Sequence, residues 1–404
     1  MFRTLDDLEA GQRVLMRVDL NSPIEDGEVQ DNRRFERHAG TVAELRDDDH
    51  AVALLAHQGR PGRDDFTTLE GHAEVLASHL GGGVTYVPDL HGETALAAVD
   101  GLEPGDVVLL ENTRMDDDEL PEKEPEEHAR SAFVRDLKGE FDAYVNDAYS
   151  AAHRRHASLV GFPLVMEAYA GRVMETEYEA NTAIRDREFD GPVRMVLGGT
   201  KAADLIDVME RLDDRVDDFL LGGVAGELFL RAAGYDVGYD VAGTDLFDEQ
   251  WERNGDRVAD LLDAEGDRVH LPKDLAREGA DGDRVEELVE DVEKERPYLD
   301  VGTHTVAAYE PFVRESDAVF VKGALGVFED ERFADGTVGV LEAIADTDCF
   351  SVVGGGDTSR AIELYGLDED DFSHVSIAGG AYIRALTGDP LPAVEVLDPS
   401  RRLD

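Results

Sequence analysis

The feature that most constrains the fold is a repeating unit: a short apolar run, a glycine-rich or polar turn, and then an amphipathic stretch. The runs are rich in valine and leucine and nearly continuous, which is typical of strands buried on both faces of a parallel sheet. In the first half of the chain, strands are predicted at 13–20, 51–57, 84–87, 106–112 and 143–147. In the second half they are predicted at 194–199, 218–223, 268–272, 318–323, 350–356 and 374–380.

Helical periodicity fills the intervals between these strands. The clearest helices are predicted at 37–45, 202–212, 285–295 and 359–367. A further helical stretch with no strand signal, 168–184, is predicted to connect the two halves. Strands that alternate with helices indicate an α/β protein with parallel sheets, here divided into two domains.

The acidity of the chain limits its partners. The 404 residues include 92 Asp plus Glu against 39 Lys plus Arg, giving a net charge of −53, and the carboxylates are dispersed rather than gathered into one tail. With 42% hydrophobic residues the chain can still bury cores. Its self-repulsion largely disappears in molar salt, where the screening length is about 3 Å, so we expect a halophilic protein. Nucleic acid and anionic membranes are poor partners for such a surface.

Redox and targeting signals are sparse. Cys349 is the only cysteine, so one chain can form neither a disulfide nor a cysteine-based zinc site. The N-terminus lacks an apolar signal core, and no run approaches membrane-spanning length. We therefore expect a soluble protein of the cytoplasm.

Ligands of open α/β sheets bind beyond the carboxyl ends of the strands. In the first half these positions carry an acid, an amide, histidines and arginines, namely Asp19, Asn21, Arg33, Arg34, His57, Arg60, Arg114, His153 and Arg154. Guanidinium groups bind carboxylate and phosphate in a bidentate manner, so the set predicts an anion site. The alternatives are that single arginines pair with surface carboxylates and that the two histidines are structural.

In the second half the same positions are rich in glycine, and Lys201 follows the first glycine pair. The glycines are Gly198, Gly199, Gly222, Gly223, Gly323, Gly326, Gly354, Gly355, Gly356, Gly379 and Gly380. Glycine lets backbone amides approach phosphate, and a following helix N-terminus favours negative charge. Asp357, followed by Thr358, is either a helix N-cap or a magnesium ligand. Neither a P-loop nor a dinucleotide-binding fingerprint occurs.

Through these residues the sequence resembles the phosphoglycerate kinase family, almost from end to end. The motifs that carry the resemblance occur in the family's order: RVDLNSP, VQDNRRF, AHQGRPG, LLENTR, YVNDAYSAAHRRHAS, VLGGTKAADL, KGALGVFE, VVGGGDT and SHVSIAGGA. The second motif assigns the substrate arginine to Arg34 rather than Arg33. KGALGVFE assigns Glu329 to the nucleotide ribose, and VVGGGDT assigns Asp357 to the magnesium–nucleotide complex.

The resemblance implies two Rossmann-like domains, each a doubly wound parallel sheet, joined by a hinge helix. Domain 1–170 would bind 3-phosphoglycerate or 1,3-bisphosphoglycerate, and domain 171–389 would bind ATP or ADP with Mg²⁺. The segment 390–404 would pack back on the first domain. The implied function is reversible in-line phosphoryl transfer with hinge closure, in glycolysis and gluconeogenesis, by a monomer. A non-catalytic, nucleotide-binding regulatory paralogue is the alternative.

Within this resemblance, the substrate-binding residues are Asp19, Asn21, Arg34, His57, Arg60, Arg114, His153 and Arg154. The nucleotide-binding residues are Gly198, Gly199, Lys201, Gly222, Gly223, Gly323, Glu329, Gly354, Gly355, Gly356, Asp357 and Thr358. We expect catalytic roles for Arg34, Lys201 and Lys322. The sequence departs from the family pattern at Leu205, where a second lysine is usual, and at Lys322, where asparagine is usual. We hypothesise that Lys322 restores the charge missing at Leu205.

Overall fold

The computed structural model describes residues 2–238, 246–294 and 296–403, except for the side chain of Leu246, and it divides into two compact units. One unit comprises Met1–Glu179 with Asp389–Asp404, and the other comprises Ala180–Gly388.

The first unit is built on a six-stranded parallel sheet. The strands of this sheet are β1 Arg13–Arg17, β4 Ala51–Leu55, β5 Val84–Tyr86, β6 Val107–Leu109, β7 Ala143–Asn146 and β8 Glu167–Ala170. Two further strands, β2 Ile24–Glu25 and β3 Glu28–Val29, form a separate hairpin. The sheet order is β5-β6-β4-β1-β7-β8. Val14, Leu15 and Met16 of β1 are fully buried, because helices cover both faces of the sheet.

The second unit repeats this plan and adds a small antiparallel sheet. Its described strands are β9 Val193–Leu197, β10 Asp218–Leu221, β11 Val269–His270, β12 Asp274–Glu278, β13 Arg284–Leu288, β14 Asp300–Val301, β15 Ala318–Lys322, β16 Phe350–Gly354 and β17 His374–Val375. The parallel sheet has the order β11-β10-β9-β15-β16-β17, and the antiparallel sheet has the order β13-β12-β14.

Helices connect the strands along the chain. Those described are α1 Arg33–Asp47, α2 Glu70–His79, α3 Glu93–Asp100, α4 Pro125–His128, α5 Ala132–Leu137, α6 Ala157–Val160, α7 Arg172–Asp186, α8 Ala202–Arg211, α9 Gly223–Ala232, α10 Leu246–Glu265, α11 Thr303–Arg314, α12 Asp335–Ala345, α13 Gly356–Leu364, α14 Gly380–Thr387 and α15 Pro392–Glu395. The boundary between the two units falls within α7. In the described part of the chain, no helix is both long and apolar enough to span a bilayer.

In each parallel sheet the chain first adds strands on one side of the first strand and then adds the remaining strands on its other side. In the first unit the chain moves from β1 to β4, β5 and β6 on one side, and then to β7 and β8 on the other. In the second unit it moves from β9 to β10 and β11, and then to β15, β16 and β17. Such switch points open a crevice beyond the carboxyl ends of the strands, which places candidate sites after β1 and β7 and after β9 and β15.

Two sequence predictions of secondary structure are wrong. The segment 168–184 begins with a strand, because β8 pairs in parallel with β7 through Tyr144↔Ala168 and Val145↔Tyr169, and its helix starts only at Arg172. The predicted helix 285–295 is instead β13, followed by a 3₁₀ turn at Val289–Asp291. There, pairing with β12 overrides the helical spacing: Arg277 donates from Nη2 to Oε1 of Glu287 at 2.6 Å.

The C-terminal segment is attached to the first unit by backbone hydrogen bonds. The amide of Ala393 donates to the carbonyl of Ala152 at 3.1 Å, and the amide of Leu403 donates to the carbonyl of Leu164 at 2.8 Å. Arg402 and Arg3 both pair with Glu167, so the two ends of the chain share one carboxylate.

Candidate active site

Asp19 follows β1 and organises the charged groups at that end of the sheet. One carboxylate oxygen lies 3.2 Å from Nη1 of Arg34 and accepts a hydrogen bond from the Ser150 hydroxyl. Burial alone would raise the pKa of Asp19, but the charges of Arg34 and Arg17 and the hydrogen bond from Ser150 outweigh burial and hold the pKa well below its usual range. Asp19 is therefore an ionised carboxylate that positions cations around it.

His57 follows β4 and is held by Arg17, the last residue of β1. Nη2 of Arg17 donates to Nδ1 of His57 at 2.9 Å, and Nε of Arg17 donates to the Ser158 hydroxyl at 2.9 Å. Burial lowers the pKa of His57 well below its ordinary value, and Asp19 opposes that shift while Arg17 and Arg114 reinforce it. His57 is thus a neutral imidazole that accepts at Nδ1 and donates at Nε2.

The turn at Gly59 joins Asn21 to Arg114. The amide of Gly59 donates to Oδ1 of Asn21 at 2.9 Å, and Nη1 of Arg114 donates to the carbonyl of Gly59. Gly59 has φ 62, and a Cβ there would lie 2.5 Å from the carbonyl oxygen of Asp65, so only glycine fits. Arg114 itself is buried, and its Nε has no hydrogen-bond partner among the described residues.

Four guanidinium groups share this end of the sheet. Burial, together with the charges of Arg154, Arg17 and Arg60, lowers the pKa of Arg114 to about 10 against the opposing charge of Glu119. The pKa of Arg154 is also lowered, first by burial and then by Arg60. Cations that destabilise one another in this way form a site that a bound anion would stabilise. His153, the residue before Arg154, is half-buried at the same end of the sheet.

Sequence reasoning missed several residues that support this site. Arg17 is fully buried, and its signal was a charged residue inside the apolar run of β1. Glu119 is fully buried and accepts from both the amide and the hydroxyl of Ser158, each at 2.7 Å. The Asn112 side chain accepts from the amide of Gln58 at 3.3 Å and donates to the carbonyl of Gln58 at 2.9 Å, which fixes the backbone beside the Gly59 turn. Their type and spacing carry no signal, because their partners come from distant strands.

In the second unit, four of the predicted nucleotide-binding glycines use their amides within the fold. The amide donors and their carbonyl acceptors are Gly198 to Lys322 at 2.8 Å, Gly199 to Ala324 at 2.7 Å, Gly222 to Leu197 at 2.9 Å and Gly223 to Leu325 at 3.0 Å. These amides are therefore engaged by protein carbonyls. The glycines let strand ends approach closely: a Cβ on Gly198 would lie 2.2 Å from the carbonyl oxygen of Ala324.

The third glycine turn, Gly354–Gly356, opens α13. Gly355 is the N-cap with φ 104, so Asp357 is the second residue of the helix, and the N-cap interpretation of Asp357 is wrong. The Thr358 hydroxyl donates to the carbonyl of Gly354 at 2.8 Å, and this hydrogen bond stabilises the turn. A Cβ on Gly354 would lie 2.1 Å from the ring of Tyr382, so this glycine also serves close packing.

Lys322 ends β15 and reaches this turn. A Cβ on Gly355 would lie 3.2 Å from Nζ of Lys322. Burial lowers the pKa of Lys322, Asp357 and Asp204 raise it, and Lys201 lowers it, so these four charges lie in one neighbourhood. Leu205, in contrast, is 3% exposed within α8. The ends of β9 and β15 therefore supply one lysine each.

A cavity of about 230 Å³ lies beyond the same strand ends. Its wall includes apolar and polar residues: Gly199, Thr200, Gly223, Glu227, Leu275, Tyr298, Leu325, Phe328, Glu329 and Asp357. Glu329 and Asp357 expose their side chains there. In the described residues, no group of three or more His, Cys, Asp or Glu side chains is arranged to hold a metal ion.

Comparison with known proteins identifies the family. A family profile described as phosphoglycerate kinase matches residues 5–389. The chain belongs to the phosphoglycerate kinase family. The phosphoglycerate kinase of Halorubrum lacusprofundi is 74% identical over 398 residues, covering 98% of both chains. That of Haloarcula marismortui is 67% identical over 397 residues, covering 98% of this chain and 99% of its own length.

Solved structures agree with this assignment. The crystal structure of phosphoglycerate kinase from Pyrococcus horikoshii has a TM-score of 0.91 at 33% identity and covers 99% of each chain. Phosphoglycerate kinase is a phosphotransferase with a carboxyl group as acceptor, and it exchanges a phosphoryl group between 1,3-bisphosphoglycerate and ADP. The haloarchaeal relatives fit the halophilic character expected from the net charge.

Proposed function

We propose that the first unit binds 3-phosphoglycerate and 1,3-bisphosphoglycerate, and that the second unit binds ATP and ADP. The observation that carries this division is the convergence of Arg17, Arg60, Arg114 and Arg154 in a chain of net charge −53. A phosphate or carboxylate would fill the unused Nε of Arg114 and relieve the repulsion among the guanidinium groups.

The remaining substrate-binding residues hold and orient this cluster. Asp19 forms an ion pair with Arg34. Asn21 accepts a hydrogen bond from the amide of Gly59, and Arg114 donates to the carbonyl of the same residue. Neutral His57 offers an Nε2–H donor to a substrate oxygen, since its Nδ1 is engaged by Arg17. We assign His153 and Arg154 to the same substrate because they lie together after β7.

In the second unit, we propose that Lys201 and Lys322 neutralise the nucleotide phosphates. Both are placed by strands at the switch point of the sheet, where anionic ligands of this architecture bind. The free amides at the start of α13 add backbone donors, whereas the glycines after β9 and β10 shape the crevice. Glu329 accepts from the ribose hydroxyls.

The residues present fit a magnesium ion carried by the nucleotide. Mg²⁺ is commonly bound by one or two carboxylates together with substrate phosphates, and Asp357 exposes one carboxylate at the cavity. We propose Asp357 as the protein ligand. When bound, the ion neutralises charge on the phosphate oxygens.

The reaction requires no general base. In the direction that consumes ATP the attacking group is a carboxylate, which is already ionised at neutral pH. Catalysis then rests on positioning and on neutralising charge on the transferred phosphoryl group, and we assign that work to Arg34, Lys201 and Lys322. We propose in-line transfer, with α7 as the hinge because the boundary between units lies within it.

We further propose that the enzyme is a monomer of a salt-rich cytoplasm. A large net charge keeps chains apart and soluble, and screening at molar salt removes its cost to folding. Light scattering coupled to size exclusion in molar KCl measures the oligomeric state.

A coupled assay tests the proposed function. It measures ADP formation that depends on 3-phosphoglycerate, with ATP and with GTP, from 0.1 to 3 M KCl. We expect turnover that requires both substrates and added Mg²⁺. Absence of turnover at every salt concentration, with the fold intact by circular dichroism, would favour the non-catalytic nucleotide-binding alternative.

A further inference from the structure

Arg17 is fully buried, and its guanidinium group donates hydrogen bonds to uncharged acceptors. These acceptors are the Ser158 hydroxyl at 2.9 Å, Nδ1 of His57 at 2.9 Å and the carbonyl of Val18. A buried cation needs a compensating charge, because taking it out of water is costly. The hydrogen bonds of Ser158 lead from Arg17 to such a charge.

Glu119 is bound to Ser158 by two hydrogen bonds. Its Oε1 accepts from the Ser158 hydroxyl and its Oε2 accepts from the Ser158 amide, each at 2.7 Å. Both residues are fully buried. The hydroxyl of Tyr144 donates to the carbonyl of Ser158 at 2.7 Å, so both backbone groups of this serine are engaged. The carboxylate of Glu119 is therefore connected to Arg17 through a single, firmly held hydroxyl group.

The ends of this series fix the direction of every hydrogen bond in it. An arginine can only donate, so Oγ of Ser158 accepts from Nε of Arg17. The one O–H of Ser158 is then left for Oε1 of Glu119. On its other side Arg17 donates to Nδ1 of His57, which leaves the imidazole proton on Nε2. The series thus runs from the carboxylate of Glu119 to the Nε2–H group of His57.

The position of Arg17 excludes the other neutral tautomer of His57. Oδ1 of Asp19 lies 3.8 Å from Nδ1 of His57, so a proton on Nδ1 would be attracted to that carboxylate if Arg17 withdrew. Nε2 would then be an acceptor and would repel an oxygen atom of an anionic ligand. The guanidinium group of Arg17 therefore decides which hydrogen-bonding group His57 presents.

We propose that Glu119 is a positioning residue of the substrate site. Acting through Ser158, it holds Arg17 where that arginine keeps the His57 proton on Nε2, as a donor to a phosphoglycerate oxygen. This inference rests on the proposed binding of 3-phosphoglycerate by the first unit. Burial strengthens the coupling, because hydrogen bonds in a low-dielectric interior polarise one another along a chain.

Two substitutions interrupt the series with little change of volume. Glu119→Gln keeps the shape of the side chain but has one acceptor oxygen, so the amide and the hydroxyl of Ser158 cannot both donate as they do to the carboxylate. Ser158→Ala removes the bridging hydroxyl and leaves Glu119 in place. Glu127→Gln, which changes an exposed glutamate of α4, is the matched control.

Two measurements on the full chain in molar KCl test the role of Glu119. Long-range ¹H–¹⁵N NMR spectra report the tautomer of His57, and calorimetric titration reports the affinities for 3-phosphoglycerate and for Mg·ADP. In Glu119→Gln and in Ser158→Ala we expect both tautomers to be populated. We also expect 3-phosphoglycerate to bind about 10- to 100-fold more weakly, as for the loss of a hydrogen bond to a charged group.

Three controls separate positioning from a general loss of structure. The affinity for Mg·ADP should stay unchanged in both variants, since the nucleotide is assigned to the other unit. The double variant should lose no more phosphoglycerate affinity than either single variant, because the two residues act in series. Glu127→Gln should match the native chain in every measurement.

Several results would overturn the inference. They are a native His57 tautomer in the variants, unchanged phosphoglycerate affinity, an equal loss of Mg·ADP affinity, and additive losses in the double variant. If circular dichroism shows that Glu119→Gln does not fold, Ser158→Ala carries the same test. A native chain that fails to bind 3-phosphoglycerate, while its His57 tautomer still responds to Glu119→Gln, would instead reject the proposed substrate site and leave the control of His57 by Glu119 standing.

Discussion

Arg17 donates from Nη2 to Nδ1 of His57 at 2.9 Å, and both side chains are buried. Because an arginine can only donate, His57 must be neutral with its proton on Nε2. We expect long-range ¹H–¹⁵N NMR spectra to show this tautomer throughout pH 5–9, since burial, Arg17 and Arg114 keep the pKa of His57 low. Comparison with His57→Gln assigns the signals. An imidazolium spectrum at pH 6 would contradict this assignment.

Two neighbouring arginines provide an internal comparison for the substrate site. Arg154 belongs to the guanidinium cluster, whereas Arg155 points to the surface and pairs with Glu124 at 2.8 Å. We expect Arg154→Ala to weaken 3-phosphoglycerate about 100-fold in KM, because it removes a charge-assisted contact worth about 1.5–3 kcal/mol. Arg155→Ala should change KM by less than about threefold, as an exposed pair contributes little. Equal effects of the two variants would exclude the proposed site.

The proposed catalytic role of Lys322, one of two lysines at the switch point of the second sheet, can be tested by substitution. Lys322 lies near Lys201, Asp204 and Asp357, whereas Leu205 is buried and carries no charge to this region. We expect Lys322→Asn to lower turnover about 10²- to 10³-fold, comparable with the loss of one oxyanion-hole donor. Lys138→Asn, an exposed lysine of the other unit, should have no effect.

The double variant Lys322→Asn with Leu205→Lys tests the compensation hypothesis. A lysine at 205 that recovers part of the lost turnover would support an exchange of charge between the two positions. Unchanged turnover in Lys322→Asn alone would show that Lys322 only pairs with local acids, and the hypothesis would be wrong.

The strands that carry the sites could be predicted from the sequence, because burial on both faces leaves a nearly continuous apolar run. β9, β15 and β16 are of this kind, and all of their residues except Val193 lie in the strands predicted at 194–199, 318–323 and 350–356. The segment of β13 could not be predicted. Its apolar residues at 285, 288, 289 and 292 also suit a helix, and only pairing with β12, where Arg277 meets Glu287, decides the conformation.

The structural roles of the glycines in the second unit could not be predicted from the sequence either. Gly198 and Gly199 donate their amides to carbonyls of residues 322 and 324, more than a hundred positions away. A glycine pair in isolation predicts free amides, and only the parallel pairing of β9 with β15 shows that they are engaged. The hydrogen bond between the buried side chains of Glu119 and Ser158 could not be predicted for the same reason, because the two residues are far apart in the sequence.

His91 provides a pH-dependent contribution to stability. Its Nε2 lies 2.9 Å from Asp116 and its Nδ1 lies 3.0 Å from Asp136. Burial alone would lower the pKa of His91, but these two carboxylates outweigh it and raise the pKa. A raised pKa contributes stability that is fully present below the unfolded value of about 6.5 and is lost as pH rises through the folded value.

We therefore expect His91→Gln to be less stable than the native chain at pH 5.5, by about 0.5–1 kcal/mol for a half-exposed pair, and the difference to shrink by pH 9. Urea unfolding at both pH values in 1 M KCl measures it. His79→Gln is the control, because it removes a histidine that pairs, among the described residues, with the exposed Asp31 alone. A difference that grows with pH would contradict the assignment.

Salt should stabilise the native state over a wide range. The carboxylates that give the chain its net charge of −53 repel one another. The length over which salt screens this repulsion falls from about 10 Å at 0.1 M to about 3 Å at 1 M. We expect the free energy of unfolding, measured by urea titration, to rise steadily between 0.1 and 2 M KCl. Sucrose at matched osmolality separates charge screening from general exclusion, because it leaves the repulsion unscreened. Equal stabilisation by sucrose and KCl would show that the dispersed carboxylates do not limit stability.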